Sequence, residues 1–217
     1  MMRTPKALIW DMDGTLLNTL EDIIGSCNEA LVAFGLPVQS HERMVSLIGH
    51  GARYLCHGAS GLDGDELDRF MQEYRRRAMT RDDPQTDVYP GIREILAEAR
   101  RRGIRLGIYT NKPDFWCTKL AERFFGADAF DEIYGTNAEG ILKPDPEPIL
   151  RMCRKWGIAP SDAVMIGDSP VDHEVAVNAG CQSACVTWGY RSREVLVAAG
   201  AENLVDDENA LRRMLFA

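Results

Sequence analysis

From residue 91 onward, segments with helical spacing of apolar residues alternate one for one with short apolar runs, and few folds accommodate such an alternation. Helices are predicted at 91–102, 114–125, 146–156 and 171–179, interleaved with strands at Arg105–Tyr109, Glu132–Tyr134, Ala163–Ile166 and Ser183–Thr187. Near the N-terminus, Lys6–Trp10 reads as one more buried strand, stopped by the polar turn Asp11-Met12-Asp13-Gly14-Thr15. Strand, helix, strand in strict order predicts an α/β fold with a doubly wound parallel sheet of the Rossmann-like kind. The helix boundaries agree. Ile92, Ile95, Leu96 and Ala99 recur at i, i+3, i+4, i+7, followed by Arg100–Arg102 and by Gly103 as a left-handed stop. Asp168-Ser169-Pro170 places capping side chains before a proline suited to a first helical turn, and Gly180 follows the last turn.

Residues 16–87 have a different texture: amphipathic helical patterns and no alternating strand. Thr19 is placed to cap a helix bearing Ile23, Ile24, Leu31 and Phe34. Ser40 caps one bearing Met44, Val45 and Ile48, and Leu67, Phe70, Met71 and Tyr74 share a helical face. The expected organisation is a catalytic core of residues 1–15 and 88–217 with an inserted helical cap of residues 16–87, which would lie over whatever the tip of the first strand holds. With 217 residues at 24.2 kDa, the chain has room for both. Its net charge of −8 disfavours a nucleic-acid partner. The apolar run Ala7–Trp10 is too short for a signal-peptide core or a membrane span, so a cytoplasmic protein with no membrane partner is expected. Six cysteines form no C-x-x-C pair and read as reduced, buried thiols.

In open parallel sheets, ligands gather beyond the carboxyl ends of the strands. The residues there are Asp11, Asp13, Gly14 and Thr15 after the first strand, Thr110, Asn111 and Lys112 after Ile108-Tyr109, Lys143-Pro144-Asp145-Pro146 before the third core helix, and Asp168, Ser169 and Asp172 after Ile166-Gly167. Carboxylates converging in this way demand a cation, and an oxygen-rich site without His or Cys suits Mg²⁺. With the ion in place, Asp11 can attack phosphorus while the Thr110 hydroxyl, backbone N–H groups near Gly14, and Lys143 neutralise phosphoryl oxygens.

These residues resemble, over essentially the whole chain, the haloacid dehalogenase superfamily of aspartate-nucleophile phosphatases. Asp11-Met-Asp-Gly-Thr-Leu resembles its first motif, Tyr109-Thr110-Asn-Lys-Pro its second, Lys143-Pro-Asp-Pro its third and Gly167-Asp168-Ser-Pro-Val-Asp172 its fourth. Gly49-His50-Gly51-Ala52-x-x-Leu55 and Thr110-Asn111-Lys112-Pro113 look like the phosphoglycolate phosphatase branch. The resemblance implies Asp11 as nucleophile, Asp13 as the acid that protonates the leaving alkoxide and then as the base for water, and Lys143 as the balancing cation. It also implies Mg²⁺ held by Asp11, the main-chain carbonyl of Asp13, Asp168, and Asp172 directly or through water. The implied activity is Mg-dependent hydrolysis of a small phosphomonoester, such as 2-phosphoglycolate, through an aspartyl phosphate. Gly14, Thr15, Asn111 and Arg53 are the expected substrate contacts. The expected partner is a small phosphorylated metabolite, and the chain is a monomer or homodimer.

Asp13 argues against the dehalogenase branch, which lacks that second aspartate, and no lysine between Lys6 and Lys112 is present to serve phosphonate cleavage. A sugar-phosphate mutase shares the four motifs and stays open, as does a phosphate-responsive binding module without hydrolysis. A calcium loop is disfavoured, since a strand precedes Asp11 and Asp22 stands where a Glu is wanted. His50, Arg53 and His57 could face the site together, with Arg53 suited to a carboxylate. His173 reads as an orienting or surface group, Arg75-Arg76-Arg77 as exposed helix, and Trp10 and Trp188 as core. Asn18 stands where many relatives carry Asp, which bears on the cap hinge.

Overall fold

The structure is a computed structural model that describes residues 4–81, 85–137 and 140–217. The start of the N-terminal stretch and residues 82–84 of the insert lie outside the described residues. The chain forms two compact units, Met1–Asn18 with Val88–Ala217, and Thr19–Asp87. In chain order, β1 (Ala7–Trp10) and β2 (Leu17–Asn18) precede four helices, α1 (Leu20–Ala33), α2 (His41–Leu47), α3 (Ala52–Ser60) and α4 (Gly64–Thr80). The chain returns through β3 (Asp87–Val88), which pairs with β2. There follow α5 (Ile92–Arg101), β4 (Arg105–Pro113), α6 (Asp114–Phe125), β5 (Glu132–Thr136), α7 (Glu147–Trp156), β6 (Ala163–Gly167), α8 (Pro170–Ala179), β7 (Gln182–Val186), α9 (Arg193–Ala198), β8 (Leu204–Val205) and α10 (Glu208–Phe216).

The first unit is a six-stranded sheet in the order β5-β4-β1-β6-β7-β8, parallel throughout. Alternation along β1 divides the core. Leu8 and Trp10 pack on one face with Ile92, Ile95 and Leu96 of α5, Cys117 of α6 and Leu211 of α10. Ala7 and Ile9 pack on the other with Ile149 and Met152 of α7 and Val175 and Ala176 of α8. Helices on both faces are what doubly wound means physically. Trp10 is wholly buried, and Trp188 packs against the first of these clusters.

Register places the chemistry. Trp10 pairs with Ile108 and with Ile166, so the residues just past these three positions lie at one level of the sheet, and the Asp11 N–H donates to the Ile166 carbonyl at 2.8 Å. The expected elements 91–102, 114–125, 146–156 and 171–179 are present as helices within a residue or two of each end. Two departures matter. β4 does not stop at Tyr109 but continues, after a register shift, to Pro113. It is held there because the Thr136 hydroxyl donates to the Asn111 carbonyl and the Gly135 N–H to the Asp114 carboxylate. The second departure is the C-terminal α9-β8-α10 segment, which adds a sheet edge too short to show a period of two in the sequence.

The second unit is a small helical bundle with a core of Ile23, Ile24, Leu31, Met44, Leu55, Leu67, Phe70 and Tyr74. Phe34 stays partly exposed, edge-on to Phe70 at 5.3 Å between ring centres. Ser40 caps α2 by accepting from the Arg43 N–H, as expected. Thr19 precedes α1 but makes no side-chain cap, because its backbone lies outside the extended conformation that aims a capping oxygen at the first turn. Asp22 ties the end of the bundle together, accepting from the Gln85 and Thr86 N–H groups and the Thr86 hydroxyl. Arg76 and Arg77 pair with Glu73 on their own helix. Among the described residues, no helix is long and apolar enough to cross a membrane.

All six cysteines are free thiols, and five are buried. Burial pushes Cys27, Cys181 and Cys185 up to about 12, so these thiols stay protonated and inert.

Candidate active site

Asp11, Lys143, Asp168 and Asp172 meet at the carboxyl ends of β1 and β6, all buried. The Lys143 ammonium lies 2.8 Å from Asp11 Oδ1 and donates to Asp172 Oδ1 at 2.6 Å. Its backbone is fixed from β4: the Lys143 N–H donates to Asn111 Oδ1 at 2.7 Å, and the Asn111 amide donates back to the Lys143 carbonyl. Asn111, expected at the substrate, is thus placed on the main chain of the lysine.

Asp172 sits one turn into α8, and Ser169 before it gives both its N–H and its hydroxyl to Asp172 Oδ2, at 3.0 and 2.5 Å. With Lys143 on Oδ1, both oxygens of Asp172 are engaged. Asp168 receives the Tyr190 N–H on Oδ2 at 2.7 Å and the Thr15 hydroxyl on Oδ1 at 3.3 Å. Two glycines wrap this carboxylate. A Cβ at Gly14, whose φ of +82° already favours glycine, would lie 2.5 Å from Asp168 Oδ2, and a Cβ at Gly189 would lie 2.3 Å from the same side chain.

Gly14 lies in the turn after β1, where its N–H donates to the Leu17 carbonyl at 2.9 Å and closes the loop that leads into β2. The Thr15 N–H likewise goes to Met12, and the Thr15 hydroxyl goes to Asp168. Both residues shape the acidic cluster from behind.

Oxygens of Asp11, Asp168 and Asp172 lie within 4.8 Å of one another. Burial pushes the Asp168 carboxyl up to about 8, with Asp11 and Asp172 adding to the rise and the Tyr190 N–H and Lys143 opposing it. Burial likewise lifts Asp11 to about 6. There Lys143 is the largest opposing influence, and Asp172 and Asp13 add to the rise. Burial pulls the Lys143 ammonium down, but Asp11 and Asp172 outweigh it, so the lysine is held above its ordinary range and stays charged. One ammonium against three buried carboxylates leaves an excess of negative charge. A hard divalent cation relieves it, and the all-oxygen donor set fits one.

Asp13, two residues beyond Asp11, is paired by Lys112, whose ammonium donates to both carboxylate oxygens at 2.8 and 3.1 Å. Thr110 is buried on β4, its hydroxyl accepting the Lys112 N–H at 3.3 Å. The structure therefore brings together Asp11, Asp13, Gly14, Thr15, Thr110, Asn111, Lys143, Asp168 and Asp172 in one unit. Arg53 lies on α3 of the other unit, exposed, with its guanidinium 2.6 Å from Asp68. The His50 ring lies tilted against Tyr54 at 4.8 Å between ring centres, while His57 Nδ1 hydrogen-bonds at the Leu62 carbonyl, so these side chains have separate local partners. His173 pairs with the Ser183 hydroxyl.

Three contributors lie beyond the sequence reading: the Lys112 grip on Asp13, the Gly189 cradle and the Tyr190 N–H. The last two follow β7, so the strand-tip rule that picks out Asp168 applies to them as well.

The family of haloacid dehalogenase-like hydrolases matches residues 8–186. An N-acetylmuramic acid 6-phosphate phosphatase of Pseudomonas aeruginosa is 34% identical over 209 residues, covering 95% of this chain and 92% of that protein. A phosphoglycolate phosphatase of Rhodospirillum rubrum is 34% identical over 216 residues, covering 94% and 88%. The crystal structure of a predicted phosphoglycolate phosphatase from Haemophilus somnus superposes with a TM-score of 0.89 at 27% identity, covering 99% of each chain.

Proposed function

The chain belongs to the haloacid dehalogenase-like hydrolases, and from that premise we propose that it is a Mg²⁺-dependent phosphatase of small phosphomonoesters acting through an aspartyl phosphate. The observation that carries this reading is the buried Asp11–Lys143–Asp172 chain beside Asp168, with a second carboxylate, Asp13, two residues past Asp11. When bound, Mg²⁺ would be held by Asp11 and Asp168, with Asp172 as outer support, and would supply electrostatic stabilisation of the phosphoryl oxygens.

The chain's own residues do the rest. Asp11 is the nucleophile: Lys143 holds its charge and orients it, and the surrounding burial strips away the water that would blunt its attack. Asp172, its oxygens taken by Lys143 and Ser169, positions that lysine. Thr110, on β4 just past Tyr109, would donate its hydroxyl to a phosphoryl oxygen. Asp13 gives a proton to the departing alkoxide and, left ionised, takes one from the water that opens the acyl phosphate, so one group serves both half-reactions. The relatives' names point to phosphoglycolate and N-acetylmuramic acid 6-phosphate, both carboxylated phosphomonoesters, and 2-phosphoglycolate is our leading candidate.

The test is phosphate release from a panel of phosphorylated metabolites, with Mg²⁺ and with EDTA. Metal-dependent turnover by the wild type and its loss in Asp11→Asn are expected. Absence of turnover on every ester, or full turnover by Asp11→Asn, refutes the proposal.

A further inference from the structure

We propose that Lys112 is the residue that recognises a substrate carboxylate placed next to the scissile ester, and that the substrate draws it away from Asp13. This rests on the phosphatase reading of the same site. Lys112 is anchored by its backbone at the irregular end of β4, where its N–H meets the Thr110 hydroxyl. Its side chain is nearly buried, and its ammonium donates to both oxygens of Asp13. A cation held in this way on a proton-transfer group has two consequences.

The first is positional. Asp13 must reach the ester oxygen of the leaving group, so Lys112 Nζ, a hydrogen bond from Asp13, lies beside the carbon atoms next to that oxygen. In 2-phosphoglycolate the carboxylate is separated from the ester oxygen by a single methylene. It therefore falls beside Lys112 whenever the ester oxygen meets Asp13. An ammonium carries three N–H donors, and two of them are directed at Asp13, which leaves the third for a newcomer.

The second is a gate. While Lys112 spans both oxygens of Asp13, neither is aimed freely at a leaving group. A substrate carboxylate competes for the same ammonium and releases one Asp13 oxygen beside the ester. The anion thus contributes to turnover as well as to binding, and an alkyl phosphate of similar size without the carboxylate leaves the clamp closed. Lys112 touches substrate in this scheme but transfers no proton; it is a specificity-determining residue.

The experiment compares the wild type, Lys112→Met and Lys112→Arg on 2-phosphoglycolate, on ethyl phosphate, which lacks the carboxylate, and on p-nitrophenyl phosphate, at saturating Mg²⁺. The wild type is expected to favour 2-phosphoglycolate over ethyl phosphate in kcat/KM. In Lys112→Met that preference falls by about 30-fold or more, the worth of a charge-assisted contact, and Lys112→Arg restores part of it. Circular dichroism and competitive inhibition by inorganic phosphate report whether the variants keep their fold and phosphate site. A wild type that hydrolyses all three esters but shows no preference for the carboxylated one refutes the role of Lys112 and leaves the phosphatase reading standing. So does an equal fall on all three substrates in Lys112→Met. A wild type inert on every ester of the wider panel overturns the phosphatase reading and this inference with it.

Discussion

Replacing Asp168 with Asn is expected to abolish turnover and, in metal-free protein at alkaline pH, to make the fold more stable. Burial and the neighbouring carboxylates raise the Asp168 carboxyl from 3.8 to about 8, and Asp11 shifts the same way, to about 6. A raised carboxyl pKa means that the folded state keeps a proton the unfolded chain has released. Below about pH 4 both states hold the proton and the group contributes nothing. Between about pH 4 and about pH 8 each unit of pH removes ~1.4 kcal/mol of stability, until the folded carboxyl also ionises. For Asp168 the full interval amounts to roughly 6 kcal/mol. Asn imitates the protonated acid and still accepts the Tyr190 N–H, so the variant escapes this loss. All four tryptophans, Trp10, Trp116, Trp156 and Trp188, lie in the sheet unit, so their fluorescence during urea unfolding reports that unit. In EDTA the wild type should weaken by several kcal/mol from pH 5 to pH 8, while Asp168→Asn declines much less. Magnesium at about 100 times its Kd should return ~2.7 kcal/mol to the wild type and nothing comparable to the variant. Equal wild-type stability at pH 5 and pH 8 in EDTA, or a variant weaker than wild type at pH 8, would refute the reasoning.

Other outcomes follow from the same geometry. Lys143→Met leaves Asp11 and Asp172 without their shared cation and should cost about 3–5 kcal/mol in urea unfolding at pH 8 in EDTA; a loss under about 1 kcal/mol would contradict the pairing. Asp13→Asn should lower kcat on alkyl phosphates by about 10²–10⁴, and much less on p-nitrophenyl phosphate, whose leaving group needs no proton; equal losses on both would remove Asp13 from proton transfer. Gly189→Ala pushes a methyl against Asp168 and should raise the half-saturating Mg²⁺ concentration at least tenfold, as outer contacts to a metal ligand do; an unaltered Mg²⁺ titration would contradict this. With DTNB at pH 8, the native protein should expose at most Cys181 to rapid reaction and all six thiols after denaturation; several fast native thiols would contradict their burial.

The elements that the sequence reveals are those whose period has room to repeat. Ile92, Ile95, Leu96 and Ala99 cover two turns of α5, and all four are buried as that spacing demands. β8 consists of Leu204 and Val205 alone, and β2 and β3 are equally short, so pairing partners define them and no local pattern does. β4 shows a third situation. Thr110, Asn111 and Lys112 carry polar side chains and follow an apolar run, which locally signals a strand end, yet β5 holds them extended through Thr136 and Gly135. Candidate site residues are legible where a strand tip coincides with a charged side chain. Gly189 and Tyr190 act through an absent Cβ and a main-chain N–H, neither of which residue chemistry advertises. Where the Gly14 N–H points likewise depends on loop closure and not on residue type.

Burial alone does not assign different roles to the three carboxylates, since all are almost inaccessible. Their donors do. Among the described residues, Asp172 accepts from the Lys143 ammonium and from the N–H and hydroxyl of Ser169, which uses both of its oxygens. Asp168 accepts one backbone N–H and one hydroxyl, and each of its oxygens keeps a lone pair. Asp11 has the Lys143 ammonium on one oxygen. A nucleophile needs an oxygen that no donor has claimed, a metal ligand needs one lone pair per oxygen, and a residue that orients a cation can spend everything it has. Ordered by what each has left to give, Asp11 suits attack on phosphorus, Asp168 suits the metal, and Asp172 suits holding Lys143 in line with Asp11. The same order accounts for the position of the family's first motif: the least committed carboxylate follows β1, the central strand, where neighbours on both sides deliver the groups that complete it.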